Sequence, residues 1–211
     1  MPRTAPAKRG RKPVLSPTRI NTYLECAVKY RYIYLDKIGR YYLRARSYYS
    51  FGSTLHQVLQ GFHESGGEQS SDEMAQALHA GWIDAGYQSA EQEAEHLAAG
   101  EQIVRAYHAG YAERETQQIE TIATEKSIRF DMGPFVLAGR VDRIDRHPDG
   151  LLEIIDYKSG RMEVTPEEIA ADLAMSCYQL ILRRLFPAQQ VTATIYCLRN
   201  GATATYRMSD S

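Results

Sequence analysis

The chain has 211 residues, of which 25 are Lys or Arg and 26 are Asp or Glu, giving a net charge of −1; 44% are hydrophobic. This is enough for one good-sized core with a helical appendage, and the charge balance excludes a wholesale basic coat, so a polyanionic partner has to be met by a local patch. No apolar run reaches the roughly 18–20 residues that span a bilayer and the start lacks an apolar signal region, so no membrane contact is expected and the cytoplasm is the expected compartment.

Residues 1–13 carry Lys8-Arg-Gly-Arg-Lys12 among Pro and Ala and read as a disordered basic arm, ahead of a single domain over 14–211. Ser16-Pro17 is an N-cap with Pro at the first helical position, opening a helix from Thr18 to about Tyr34. Tyrosines and arginines continue through Arg40-Tyr-Tyr-Leu-Arg-Ala-Arg46; this pattern serves equally to pack a helix or to stack bases and hold phosphates. Leu55, Val58, Leu59 and Phe62 form the stripe of a helix over 51–63, with His56 beside it. By periodicity alone His56 is a packed helix histidine. Two amphipathic helices are expected over 71–87 and 90–114, completing a helical part of about 16–115.

The period then changes to two. Strands are expected over 119–130, 135–146 and 151–158, followed by a helix over 169–186 that Pro187 ends, a strand over 191–198 and a hairpin partner over 202–208. The sheet core therefore occupies about 118–208. The helix between the strands at 158 and 191 makes a parallel crossover, so the sheet is mixed with helices on both faces. The class is α/β.

His147-Pro-Asp-Gly150 is a turn in which Pro presets φ and Gly accepts φ > 0. If His147 pairs with Leu151, counting back sets Asp142 opposite Asp156. Opposed side chains have Cβ atoms about 4.5–5.5 Å apart and like charges there repel, a penalty that a bridging cation turns into a binding site. Strand alternation puts Lys158 on the face of Asp156 and Tyr157 on the other. Carboxylate oxygens and the Tyr157 carbonyl suit Mg²⁺ or Mn²⁺ better than zinc, and such an ion activates water and neutralises phosphate charge. An isolated Asp-x-Lys is more often a surface ion pair worth about 0–1 kcal/mol; the second acid shifts that balance.

Gly139-Arg-Val-Asp142-Arg-Ile-Asp145 followed by Ile155-Asp156-Tyr-Lys158-Ser-Gly160 resembles the signature of PD-(D/E)XK nucleases, in the form carried by RecB-type exonuclease domains related to AddB and the CRISPR-associated exonucleases. The opening Ser16-Pro-Thr18 through Tyr23, Cys26 and Tyr30, the Gly52-Ser-Thr-Leu-His56 segment, Glu125 and Tyr178-Gln179-Leu180 are similar to further motifs of that group, in order. The resemblance covers about residues 15–208 and implies a restriction-endonuclease-like mixed sheet flanked by helices, with a helical insert. It implies a metal held by His56, Asp142, Asp156 and the Tyr157 carbonyl, a catalytic set of Asp142, Asp156, Lys158 and Gln179, and lesser contributions from Glu125, Tyr178 and Arg183.

Arg183 stands where the group has tyrosine, which makes it at most a phosphate contact. The iron–sulfur cluster of many relatives needs four thiolates; this sequence has Cys26, Cys177 and Cys197, so no cluster is expected and all three thiols are expected to be buried. The implied activity is metal-dependent DNA hydrolysis, exonucleolytic by resemblance, in repair, recombination or defence. Single strands or duplex ends are the expected substrates, with a helicase or recombination protein as a possible partner. The rival reading is a catalytically idle nucleic-acid-binding accessory subunit on the same fold. A structural Ca²⁺ site would explain Asp142 and Asp156 but leave Lys158 without a role.

Overall fold

The alternating segments fold into a six-stranded mixed sheet in the computed structural model, which describes residues 12–41, 45–115, 118–160 and 163–209. The strands are β1 (Val14–Leu15), β2 (Glu120–Asp131), β3 (Val136–Arg146), β4 (Leu152–Lys158), β5 (Val191–Cys197) and β6 (Thr203–Tyr206), in spatial order β1-β3-β4-β5-β6 with β2 along the other edge of β3. β2, β3 and β4 form the antiparallel meander, and β4 pairs with β5 in parallel. The mixed sheet expected from the sequence is thus present.

The helices are α1 (Pro17–Glu25), α2 (Ala27–Tyr30), α3 (Ser47–Glu64), α4 (Ser71–Ala80), α5 (Ala90–Glu115), α6 (Pro166–Ala171) and α7 (Leu173–Leu185). They divide into two layers because the sheet is apolar on both faces. On one face Ile169, Met175, Ile181 and Leu182 pack over Ile144, Ile154 and Ala193. On the other, Leu55, Leu59 and Phe62 of α3, with Met74, Leu78 and Val104, cover Ile155 and Tyr157.

Several boundaries depart from the expectations. The first helix breaks at Cys26, whose extended backbone (φ −163°) caps α2 through its Sγ, and a π-helical turn, Arg31–Leu35, follows. Cys26 is exposed, not buried; Cys177 and Cys197 are buried. The helix after β4 is two helices, because Asp172 accepts from the Ala174 and Met175 N–H groups and so caps a new start. The helix beginning at residue 71 ends at Ala80, seven residues short of the expected end. Of the expected basic arm, residues 1–11 lie outside the described residues, as do 42–44 of the Tyr/Arg-rich stretch. Order begins before Ser16: Lys12 pairs with Asp131 at 2.6 Å, and β1 lies parallel to β3. No described helix is long and apolar enough to cross a membrane.

Candidate active site

The β3–β4 turn closes as its sequence dictates. The His147 N–H donates to the Leu151 carbonyl and the Gly150 N–H to the His147 carbonyl, both at 2.9 Å, with Gly150 at φ 87°. From there the ladder runs from Arg146↔Leu152 to Arg143↔Ile155 and stops. One step beyond lie Asp142 and Asp156, where two like charges face each other and the strands part. The next link is made by a side chain: the Tyr157 N–H donates to Asp142 Oδ2 at 2.8 Å. Alternation sets Asp156 and Lys158 on one face, their charged atoms 2.6 Å apart, while the Tyr157 ring enters the opposite core.

Two further elements supply the rest. In β2, Thr124 pairs with Arg143 and Lys126 with Val141, but Glu125 is skipped; its φ of 44° is left-handed backbone, which costs a non-glycine residue roughly 1–3 kcal/mol and re-aims its side chain. In α3 the stripe at 51, 55, 58, 59 and 62 faces the core, which turns His56 toward the end of β4. His56 Nδ1 lies 3.3 Å from Glu125 Oε1 and 3.5 Å from Asp142 Oδ1, and its Nε2 lies 3.2 Å from the Tyr157 carbonyl oxygen. One ligand atom each from His56, Glu125 and Asp142 falls within a 4.8 Å cluster. Two carboxylates and an imidazole at the end of two parting strands fit a divalent ion whose remaining positions are filled by water. Glu125 thus stands nearer the centre than its secondary place in the sequence reading implies.

Both ring nitrogens of His56 face acceptors, an arrangement only an imidazolium satisfies. Burial pulls the His56 pKa down, but the hydrogen bonds and charges of Asp142 and Glu125 outweigh it and raise the value to about 10. Burial and the Asp142 charge push Asp156 up to about 6, and Lys158 offsets part of that rise. For Lys158, burial opposes the charge but Asp156 prevails, so its pKa is raised and it stays an ammonium.

Tyr178 of α7 closes the site from the other layer. Its pKa is raised, by burial first and then by the Asp156 and Asp142 charges, and its ring rests on Gly139, where a Cβ would come within 2.2 Å of Cε1. Gln179 and Arg183 are turned elsewhere. Gln179 is fully buried and its Oε1 accepts from the Met208 N–H at 2.9 Å, while its Nε2 has no hydrogen-bond partner among the described residues. Arg183 Nη1 donates to the Met208 and Ser209 carbonyls and lines a different cavity.

Sequence reading missed two arginines. Arg140, paired with Glu125 Oε2 at 2.7 Å, lines a cavity of about 580 Å³ together with His56, Glu125 and Lys158. Arg143 is 1% exposed. Its Nη1, with two hydrogens to share, lies within reach of His63 Nε2 at 2.6 Å, the Tyr157 hydroxyl at 2.7 Å and the Tyr107 hydroxyl, and its Nη2 pairs with Asp145 at 3.0 Å. The signal was available: strand alternation places Arg143 on the Tyr157 face, where a cation needs buried partners.

The family model of the PD-(D/E)XK nuclease superfamily matches residues 14–209. Among solved structures the chain is similar to one titled "Crystal structure of SSO0001", at 16% identity over 57% of this chain and 62% of that one, with a TM-score of 0.27. It therefore spans less than two thirds of that chain, a likeness too loose to compare site residues. No curated protein matches the sequence.

Proposed function

This chain belongs to the PD-(D/E)XK nuclease superfamily, and we propose that it is a DNA nuclease, exonucleolytic, that hydrolyses phosphodiester bonds with Mg²⁺ or Mn²⁺. The observation that carries the proposal is the His56–Glu125–Asp142 cluster beside the Asp156–Lys158 pair. Asp142, Glu125 and His56 would hold the ion, Asp156 would add charge from the opposed strand, and the Tyr157 carbonyl fixes the imidazole through Nε2. When bound, the ion supplies an acidified water and neutralises charge on the scissile phosphate. Lys158, kept cationic by Asp156, orients the attacking water and faces the developing negative charge. Tyr178, packed on Gly139, lies on the α7 side near enough to feel the charges of both acids.

Free-end selectivity is proposed from the resemblance to RecB-type exonuclease domains, and repair, recombination or defence as its setting, with a helicase as partner. Purified protein given linear and closed circular DNA separates these possibilities: linear substrate is degraded from its ends while circles persist. Degradation of circles at the same rate would make it an endonuclease, and binding without cleavage in either metal would favour an idle accessory subunit.

A further inference from the structure

Resting on the nuclease reading of the site, we infer that Tyr48 and Tyr49 form a stacking platform for an unpaired nucleobase of a single strand whose backbone enters the His56–Lys158 cavity. Both residues open α3 and are left in water, 53% and 65% exposed, with ring centroids 4.3 Å apart. Both line the cavity that also holds His56, Glu125, Arg140 and Lys158. Helical phase explains the alignment. Tyr49, Ser53, His56 and Gln60 recur at i, i+4, i+7 and i+11, one face of a 3.6-residue helix. The seven residues from Tyr49 to His56 span about 10 Å at about 1.5 Å per residue, roughly three nucleotides at a stacked spacing of about 3.4 Å and fewer when the strand is splayed.

Charge complements the rings. The Arg46 guanidinium lies 6.0 Å from the Tyr48 ring centroid, Lys29 is close enough for its charge to act on Tyr49, and Arg140 and Lys158 rim the cavity. In a chain of net charge −1 these four cations lie along one path beside aromatic faces, Lys29, Arg140 and Lys158 each sharing their charge with a carboxylate, and cations next to exposed rings are the combination that holds single strands without reading sequence. Within a duplex each base face is covered by its neighbours, so an unpaired base is the occupant that gains most from a free ring.

The test measures binding of the full chain in EDTA, where no metal-dependent cleavage intervenes. The probes are a short fluorescein-labelled oligothymidylate and a matched strand of abasic sugars. Tyr49→Ala weakens oligothymidylate binding by about 5- to 150-fold, the range of one stacked base, Tyr49→Trp retains it, and the abasic strand binds wild type and Tyr49→Ala alike. Because both tyrosines are exposed, thermal unfolding of the variants matches wild type. Unchanged oligothymidylate binding by Tyr48→Ala and Tyr49→Ala, or equal wild-type binding of both strands, overturns the platform. Metal-dependent cleavage of the same strands is read separately. Base-dependent binding without cleavage sinks the nuclease reading and leaves the platform standing, whereas cleavage with base-independent binding does the reverse.

Discussion

His56 Nδ1 stands 3.3 Å from Glu125 Oε1, although the two residues are 69 positions apart in the chain. The imidazolium between Glu125 and Asp142 occupies the place, and supplies part of the charge, that a divalent ion would. Metal entry must therefore displace its proton. Since that proton is held up to about pH 10, Mg²⁺ or Mn²⁺ binding at pH 8 releases about one proton and apparent affinity rises about tenfold per pH unit from 7 to 9. Calorimetric titration in buffers of different ionisation enthalpy measures the release; a value near zero contradicts it. The sign for stability follows: the folded-state pKa is raised, so the His56 contribution is full below about pH 6.5 and is lost as pH rises through about 10 in the metal-free protein.

For Asp156 it is the charged form that is disfavoured, by burial and by Asp142. With a folded-state pKa raised to about 6, it favours folding below its unfolded value of about 3.9 and loses that advantage as pH rises through about 6. Asp156→Asn is expected to raise the unfolding free energy at pH 8 in EDTA by about 1–3 kcal/mol. The gain vanishes at pH 4, and cleavage is lost. Denaturant melts at the two pH values, alongside a cleavage assay, check all three outcomes.

Gly139 is a matter of space. A Cβ there meets the Tyr178 ring at 2.2 Å, so Gly139→Ala must displace that ring. A loss of about 1–3 kcal/mol in stability is expected from overpacking, with a fall in cleavage rate. Adding Tyr178→Ala relieves the clash, so the double variant is more stable than the sum of the two single effects implies. Additive effects would show that the two residues do not meet.

Arg143 holds the buried side of Tyr157. Replacing it with Met removes the guanidinium that pairs with Asp145, 2% exposed, and losing one partner of a buried pair costs about 3–5 kcal/mol. Tyr107→Phe removes one hydrogen-bonding hydroxyl from the same network and costs about 1–2 kcal/mol. Urea unfolding of the two variants at neutral pH tests this ranking, and equal losses would refute it.

The hairpin was legible because Pro-Asp-Gly fixes its register and alternation then fixes which side chains share a face. Asp142, Asp156 and Lys158 followed from that count alone. The mixed sheet followed from the switch of hydrophobic period near residue 119. What periodicity cannot carry is contact between distant elements: that α3 delivers His56 to Glu125 came from resemblance, and the left-handed turn of backbone at Glu125 left no mark in composition. The break at Cys26 has neither Pro nor Gly to announce it. Asp172 did announce a helix start, but it lies inside an apolar periodic run that masks the cap. Gln179 sits one position from Tyr178 and, by helical rotation, points to the Met208 segment while its neighbour rests on Gly139.

The central claim is that the cluster at the end of β4 holds a divalent ion that serves phosphodiester hydrolysis. The most direct measurement is cleavage of end-labelled linear DNA by the purified chain, titrated with Mg²⁺ or Mn²⁺, with wild type, Asp142→Ala and Lys158→Ala run in parallel and metal-induced thermal stabilisation recorded on the same samples. Wild type should cleave and be stabilised by the metal, Asp142→Ala should lose both, and Lys158→Ala should keep the stabilisation but lose the cleavage. Cleavage that persists in EDTA, or that Lys158→Ala leaves undiminished, would contradict the account.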